Sequence, residues 1–431
     1  MPFRLFARPK IRFESFGGII ATERPAALVF VDRDFLRNAG HDGGARWRGD
    51  PAGDLLSAPT EVHFAFTHRC DAGCAHCYTD SGPEKTGGLD MAGIVEVADA
   101  LAKAGVFHVA LGGGESTEDP RLLDIARAFR ARGIVPNLTT NGLHVDEAFA
   151  REARIFGVIN VSLDGIGDRY GGARGYDGFE AADAAIRLLR RHHEKVGINC
   201  VVTRRNFDHL PEVVRYARRR RLSNVELLRV KPAGRGRESF SELTMTRDQG
   251  RAFFPLVKTL ARRHRLSIHV DCSLAPFLCY HAPDRALMTK LGLFGCEGGN
   301  VLASVGPDGA MSACSFHAAP ELDARAMEAD WPSAFEGFRR YPERAPEPCA
   351  SCAYLPLCKG GCHVVAGFLT GDPFSPDPEC PRVVDWREGP QRATSAEVTT
   401  LSGGIAPRSN AATFARVVSA IFARASRVKK A

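Results

Sequence analysis

Between Glu61 and about Val270, short runs of apolar and β-branched residues alternate with stretches whose apolar positions return every three or four residues. The strand-like runs are Glu61–Phe66, Phe107–Leu111, Ile134–Thr139, Val158–Leu163, Ile198–Thr203 and Asn224–Arg229. Ile94, Val97, Ala98 and Leu101 share a helical face between the first two, and Leu122, Ile125, Ala126 and Phe129 share another after the second. Six such units in succession predict an α/β fold of parallel strands joined by right-handed crossovers. A curved, incomplete barrel and a doubly wound sheet both satisfy the pattern. Either one places catalytic groups on the loops that follow the strands.

The flanks read differently. Ile11–Ile20 and Ala27–Val31 predict two strands, a short N-terminal β hairpin turning at Glu23-Arg24-Pro25, and the Gly/Asp/Arg-rich residues 40–53 read as a linker. Residues 291–384 are rich in Cys, Gly and Pro with little periodicity, a composition that needs staples or metals to hold a fold. Beyond Trp386 the chain turns polar, and Ser, Thr and Gly dominate Thr394 to Asn410, which predicts disorder. Phe414, Val417, Val418, Ile421 and Phe422 then line one helical face among Arg416, Arg424, Arg427, Lys429 and Lys430, a basic amphipathic helix that docks on its own protein, a partner or a membrane surface. The expected division is 1–58, hairpin and linker; 59–275, the repeated β/α domain; 276–388, a cysteine-rich domain; and 389–431, a flexible tail.

Composition narrows the classes. With 431 residues, 44% hydrophobic and 25% charged, the chain is neither disordered nor collagen-like. Its longest purely apolar run, Ala26 to Val31, is too short to span a membrane, and the start lacks the apolar core of a secretory signal, so a cytoplasmic location is expected. The net charge of +7 is mild, and Arg218–Arg221 reads as a solvated helix face; no nucleic-acid partner is expected. Thirteen cysteines do change the picture. Their odd number argues against a disulfide framework, and they cluster at 70, 74 and 77 and between 272 and 380, the habit of metal-binding thiolates. Cys200, alone in an apolar strand, reads as a core thiol.

Cys70-Asp71-Ala72-Gly73-Cys74-Ala75-His76-Cys77 directly follows the first strand. Three thiolates this close can wrap one corner of a cubane cluster and leave one iron open for chemistry. Structural zinc is the competing reading, and it needs a fourth protein ligand that His76 lies too close in sequence to supply. This Cys-x3-Cys-x2-Cys loop at the end of the first strand resembles the radical S-adenosylmethionine (SAM) superfamily, over about residues 60–270. The resemblance implies a partial (β/α)6 TIM-like barrel and a [4Fe–4S] cluster held by Cys70, Cys74 and Cys77. It also implies that SAM, bound to the open iron, is cleaved reductively to a 5′-deoxyadenosyl radical. His76 takes the position that is usually aromatic and lies near the SAM adenine. Gly113-Gly114-Glu115 is similar to the motif that receives the SAM amino group, where bare backbone permits close approach and the carboxylate meets an ammonium. Asn141 closes the third strand and Ser162 and Asp164 the fourth; by resemblance they contact the cofactor, Ser162 and Asp164 through ribose hydroxyls or substrate. Lys231-Pro232-Ala233-Gly234-Arg235-Gly236 is either a basic surface turn or a SAM or substrate contact.

Downstream, Cys296-x17-Cys314 precedes Cys349-x2-Cys352-x5-Cys358-x3-Cys362-x17-Cys380, with Val305–Ala310 reading as a hairpin turn that brings the first pair together. This order is similar to the SPASM domain, the auxiliary iron–sulfur extension of radical SAM enzymes that act on peptides and proteins. The resemblance assigns Cys349, Cys352, Cys358 and Cys380 to one auxiliary cluster, and Cys296, Cys314 and Cys362 to three positions of another. Relatives carry a further cysteine just before the one matching Cys296, which is missing here; either Cys279 or Cys272 folds back to replace it, with Cys279, nearer in sequence, favoured, or that cluster has an open iron or is a smaller one. His281 and His317 flank these cysteines and read as packing or hydrogen-bonding residues. Arg12–Gly18 is similar to strands of the small PqqD-like domains that bind a leader peptide along a sheet edge.

Three functions follow. The first is maturation of a ribosomally made peptide, with a peptide or small-protein substrate and an electron donor such as ferredoxin or flavodoxin. The second is another maturase, making sulfatase formylglycine or modifying a tetrapyrrole side chain. The third is a non-catalytic iron–sulfur or zinc protein, against which the intact triplet with Gly113-Gly114-Glu115 argues.

Overall fold

Three antiparallel strands come first in the computed structural model, which describes residues 10–23, 26–48, 55–317 and 319–389. They are β1 (Lys10–Glu14), β2 (Gly17–Glu23) and β3 (Ala26–Asp32), ordered β1-β2-β3. The expected hairpin is thus a three-stranded sheet. The run Ile11–Ile20 is not one strand because the chain reverses at Ser15-Phe16, where a Cβ on Gly17 would lie 2.2 Å from the Val31 carbonyl oxygen. Part of the expected linker belongs to this sheet: Trp47 is buried and its indole N–H donates to the carbonyls of Glu14 (3.1 Å) and Gly17 (2.9 Å). Arg12 ties β1 to the next domain, donating to Pro59 O (2.8 Å) with its guanidinium 5.1 Å from the Phe107 ring centre.

Seven parallel strands follow in chain order: β4 (Glu61–Thr67), β5 (His108–Gly113), β6 (Val135–Thr140), β7 (Ile159–Ser162), β8 (Val196–Val202), β9 (Asn224–Arg229) and β10 (Ser267–Val270). Because neighbours in the sheet are neighbours in sequence, there is no topological switch point. The doubly wound alternative therefore fails and the sheet is a partial barrel. All six expected strands are present. The seventh, β10, escaped notice because only Ile268 and Val270 are apolar while Ser267 and His269 are exposed.

The barrel's two faces come from period-two alternation. On β4, Val62, Phe64 and Phe66 are buried beneath the helices, whereas Glu61, His63 and Ala65 face the concave side. The helices present the faces read from sequence: Ile94, Val97, Ala98 and Leu101 on Met91–Lys103, and Leu122, Ile125, Ala126 and Phe129 on Leu122–Ala131. Phe64 and Phe129 meet edge to face at 6.0 Å. Each such side chain is worth about 1.5–3 kcal/mol on burial. Cys200 lies fully buried in this core.

The cysteine-rich segment extends the same sheet. β11 (Leu302–Val305) pairs in parallel with β4, and β12 (Ala310–Ser312) and β13 (Leu322–Asp323) add antiparallel strands. The hairpin expected at Val305–Ala310 joins β11 to β12, closed by Gly306 N–H to Ala310 O at 2.8 Å. The polar stretch and amphipathic segment beyond residue 389 lie outside the described residues.

Candidate functional site

The loop after β4 carries Cys70 and Cys74, both buried, and Cys77, partly buried. Backbone holds it from three directions. From the end of β5, Gly114 N–H donates to Thr67 O (2.7 Å) and Glu115 N–H to Arg69 O (2.8 Å). A Cβ on Gly114 would sit 1.9 Å from Arg69 O, so only glycine allows this approach. From the loop after β9, Gly236 N–H donates to Cys77 O (3.3 Å), Arg235 Nε to Cys74 O (3.3 Å) and Ser239 Oγ to Ala75 O (2.9 Å). The Lys231–Gly236 stretch is therefore a clamp on the cysteine loop and no surface turn. From beyond β7, Arg174 O accepts from Ala75 N–H at 3.0 Å.

Arg174 is the residue that motif reading missed. Its Nη2 donates to Cys74 Sγ (3.2 Å) and its Nη1 to Asp164 Oδ2 (2.8 Å). The same oxygen meets His76 Nε2 at 2.9 Å, and Asp164 Oδ1 accepts from Val201 N–H at 2.7 Å. Asp164, expected to meet a ribose hydroxyl or substrate, is fully buried with both oxygens engaged, and it holds His76 and Arg174 in place. Burial alone would raise its carboxyl, but the Arg174 charge and the His76 hydrogen bond together hold it below the ordinary value. Its partner had one faint signal, an arginine inside the small-residue run Gly171-Gly172-Ala173-Arg174-Gly175.

Glu115 is equally committed. Oε1 accepts from Thr117 N–H (3.0 Å), Thr117 Oγ1 (2.6 Å) and Thr140 Oγ1 (2.7 Å), and Oε2 accepts from Asn141 N–H at 2.6 Å. A carboxylate has about four acceptor directions, so room for an ammonium remains only on Oε2. Asn141 is 5% exposed, and its Nδ2 has no partner, nor does Ser116 Oγ. A buried donor left unmade costs about 1–3 kcal/mol. These two atoms at the ends of β5 and β6 fit a polar ligand at the barrel mouth. Ser162 ends β7 on the concave side, and the Gly113 carbonyl accepts from Thr79 Oγ1 at 3.1 Å.

Apart from Cys200 in the core, the remaining cysteines form two groups. Cys279, Cys349, Cys352, Cys358 and Cys380 line one small cavity with Tyr354 and Leu355. There a hydrogen bond from the Cys358 thiol holds Cys279 below its ordinary pKa. Cys272, at the mouth of the barrel after β10, lies close enough to Cys296 and Cys362 for their charges to raise its thiol, and Cys296 is raised in turn by Cys314. Cys279 sits one helix, Ala275–Cys279, further along the chain than Cys272, which carries it over to Cys358, while Cys272 lies beside Cys296 and Cys362. Lys231, buried and paired with Asp271, adds positive charge beside this second group.

Burial pushes the thiols of Cys70 and Cys380 up to about 12 and those of Cys349 and Cys362 to about 11, so the protein alone does not ionise them; bound iron would. Among the described residues no three cysteine sulfurs lie within 4.8 Å of one another. A single tetrahedral zinc, with Zn–S about 2.3 Å, draws its sulfurs to within about 3.8 Å. The wider spacing suits the corners of a cluster.

The profile of the Radical SAM superfamily matches residues 64–217. Mycofactocin maturase MftC of Mycobacterium tuberculosis is 30% identical over 339 residues, 75% of this chain and 83% of that protein. The chain belongs to the radical SAM superfamily. Another relative of this radical SAM enzyme, PqqA peptide cyclase of Gluconobacter oxydans, is 29% identical over 342 residues, 76% of this chain and 91% of that one. Among solved structures, Streptococcus suis SuiB shares the fold. Its complex with S-adenosylmethionine has a TM-score of 0.68 at 16% identity, covering 88% of this chain and all of that one. Its complex with precursor peptide SuiA gives 0.67 at 15%, covering 86% and 98%. Membership implies a [4Fe–4S] cluster and SAM, which the orphan donors and the triplet loop fit. No helix among the described residues is long and apolar enough to cross a membrane.

Proposed function

We propose that this radical SAM enzyme is a peptide maturase: it modifies a ribosomally made precursor peptide by removing hydrogen from one of its side chains. One observation carries the reading. The likeness to a mycofactocin maturase runs over 339 residues, far beyond the superfamily profile at 64–217 and into the cysteine-rich segment. SAM bound at an open iron supplies the 5′-deoxyadenosyl radical that takes the hydrogen. In this reading Cys70, Cys74 and Cys77 hold that iron's cluster, Gly113, Gly114, Glu115 and Asn141 shape the SAM site, and residues 59–275 form the SAM domain. His76, pinned by Asp164, lies alongside the cluster loop, and Ser162 faces the substrate.

Residues 276–388 form a SPASM domain in this reading. Cys349, Cys352, Cys358 and Cys380 hold one auxiliary cluster, and Cys272, Cys296, Cys314 and Cys362 hold the other. The open edge of β3, with Val29 and Phe30 exposed at 41% and 52%, receives the leader part of the peptide as an added strand. Thirteen unpaired cysteines suit the reducing cytoplasm, where ferredoxin or flavodoxin supplies electrons.

The test is anaerobic reconstitution followed by incubation with SAM, dithionite and candidate precursor peptides, with mass spectrometry of the products. The expected result is 5′-deoxyadenosine, a peptide lighter by the lost hydrogens or carbon dioxide, and about twelve irons per chain. Equal 5′-deoxyadenosine from Cys74→Ala refutes the assignment.

A further inference from the structure

Beneath the SAM site the concave wall of the barrel carries a carboxylate that none of the assigned roles uses. Glu226 is the third residue of β9, between Val225 and Leu227, both buried in the outer core. Alternation therefore turns it into the lumen. Register places it in one row across four strands: His269 on β10, Glu226 on β9, Asn199 on β8 and Ser162 on β7. Ser162 is two residues from Asp164, which braces His76 and, through Arg174, Cys74. The row thus lies on the concave wall below the cysteine loop.

Glu226 is held in place and left open for a further partner. Asn160 Nδ2 donates to its Oε2 (3.2 Å) and to Asn199 Oδ1 (2.8 Å), and this is the only hydrogen bond to the Glu226 carboxylate among the described residues. Its surroundings resist a second negative charge. Withdrawal from water, then the charges of Asp271 and Glu61, push its carboxyl up to about 7 against the weaker pull of His63 and Lys231. Asp271 is paired with Lys231, and Glu61 faces His63 at 3.3 Å. Among the described residues Glu226 has no ion-pair partner.

We infer that Glu226 is the proton acceptor of the reaction, and that the reaction is therefore a net two-electron oxidation of the peptide, a cross-link or a dehydrogenation, and not a simple return of hydrogen. This rests on the maturase reading. The balance is as follows. One substrate C–H breaks homolytically and its hydrogen leaves in 5′-deoxyadenosine. As the new bond forms, a second X–H bond of the peptide breaks and its proton passes to Glu226 Oε1. The remaining electron needs a one-electron acceptor, and an iron–sulfur cluster held by Cys272, Cys296, Cys314 and Cys362 would supply it, with Lys231 and Asp271 between Glu226 and that group. The peptide loses two hydrogens, one as an atom and one as a proton and electron. Glu226 then releases its proton to water, which a group titrating near neutrality does readily.

The test has two arms, each with wild type, Glu226→Gln and Glu226→Asp. In the first, the full chain without peptide is titrated by difference infrared spectroscopy. A protonated-carboxyl band with a midpoint near 7 that vanishes in Glu226→Gln is expected; a Glu226 band titrating in the ordinary range below 5 overturns the inference. In the second, the reconstituted enzyme is assayed with the peptide that passes the mass-spectrometric test above. Glu226→Gln should still yield 5′-deoxyadenosine but lose product by about 10²-fold or more, with the wild-type pH limb near 7 abolished and partly restored in Glu226→Asp. Product and pH profile unchanged in Glu226→Gln overturn it. A wild type that forms no 5′-deoxyadenosine fails the maturase reading instead, and the infrared arm still judges the carboxylate.

Discussion

Asp377→Ala should unfasten the cysteine-rich segment from the barrel. Arg229, the last residue of β9, meets Asp377 through two hydrogen bonds of 2.6 and 3.1 Å, with side-chain exposures of 2% and 0%. Arg229 also donates to Ser273 O (3.0 Å) and Glu379 Oε2 (2.7 Å), and its guanidinium lies 5.0 Å from the Phe277 ring centre. Asp377 in turn accepts from the backbone N–H groups of Cys362 and Glu379, both at 3.0 Å. Burial works against the Arg229 charge, but Asp377 and Glu379 outweigh it. Removing one member of a buried pair leaves the other uncompensated and costs about 3–5 kcal/mol. Glu379, itself partly exposed, recovers only a share. At roughly 2 °C per kcal/mol for a large domain, the melting temperature of the anaerobically reconstituted chain should fall by about 6–10 °C. Because Cys362 loses its backbone anchor, reconstituted iron should fall as well. The double variant Arg229→Met with Asp377→Leu, which removes both charges, should recover most of the stability. A loss below about 1 kcal/mol for Asp377→Ala would place the pair among surface bridges and refute the argument.

The other predictions concern the two ends of the site. Gly114→Ala forces a Cβ to within 1.9 Å of Arg69 O, so the cysteine loop must shift; iron at the triplet should be lost while the far-ultraviolet circular dichroism stays native. Cys272→Ala should remove up to about four irons per chain, one cubane's worth, whereas Cys279→Ala should leave the count unchanged; the reverse result would reinstate Cys279 as the ligand. Glu226 has a folded carboxyl near 7 against an ordinary 4.5, so the stabilisation of its protonated form is complete below about pH 4.5 and lost as pH rises through 7. Glu226→Gln should therefore be more stable than wild type above pH 7 by up to roughly 3 kcal/mol, at about 1.36 kcal/mol per pH unit, and the advantage should vanish below about pH 4.5 in denaturant titrations.

How much of this was legible in sequence depends on how local the cause is. The six strands and two helical faces were, because burial under helices forces Val62, Phe64 and Phe66 to alternate with Glu61 and His63. β10 was not, since a strand with its polar side exposed carries only two apolar residues. The turn at Ser15-Phe16 had a signal in Gly17-Gly18, but a run of apolar residues on both sides hid it. The triplet and the glycine–glycine–glutamate loop were legible as chemistry. Their internal division of labour was not: whether Asp164 meets a ligand or braces His76 depends on Arg174, which arrives from a different loop. The choice between Cys272 and Cys279 likewise turns on which side of one short helix faces Cys358, and nearness in sequence says nothing about that. Glu226 stood in plain view as the one acidic residue of Asn224–Arg229, and only the strand's neighbours reveal what it faces.

The seam between β4 and β11 has a consequence for electron flow. Phe64 of β4 lies opposite Val305 of β11, Cys70 follows the end of β4, and Cys314 follows β12, the strand that turns back from β11. The cysteine triplet loop and Cys314 are thus mounted on one continuous ladder of backbone hydrogen bonds and not joined by a swinging tether. On the proposed assignment of clusters to both places, the gap an electron must cross between them is fixed by the sheet, which leaves the potentials of the two clusters, and not a motion of one toward the other, to set the rate of transfer.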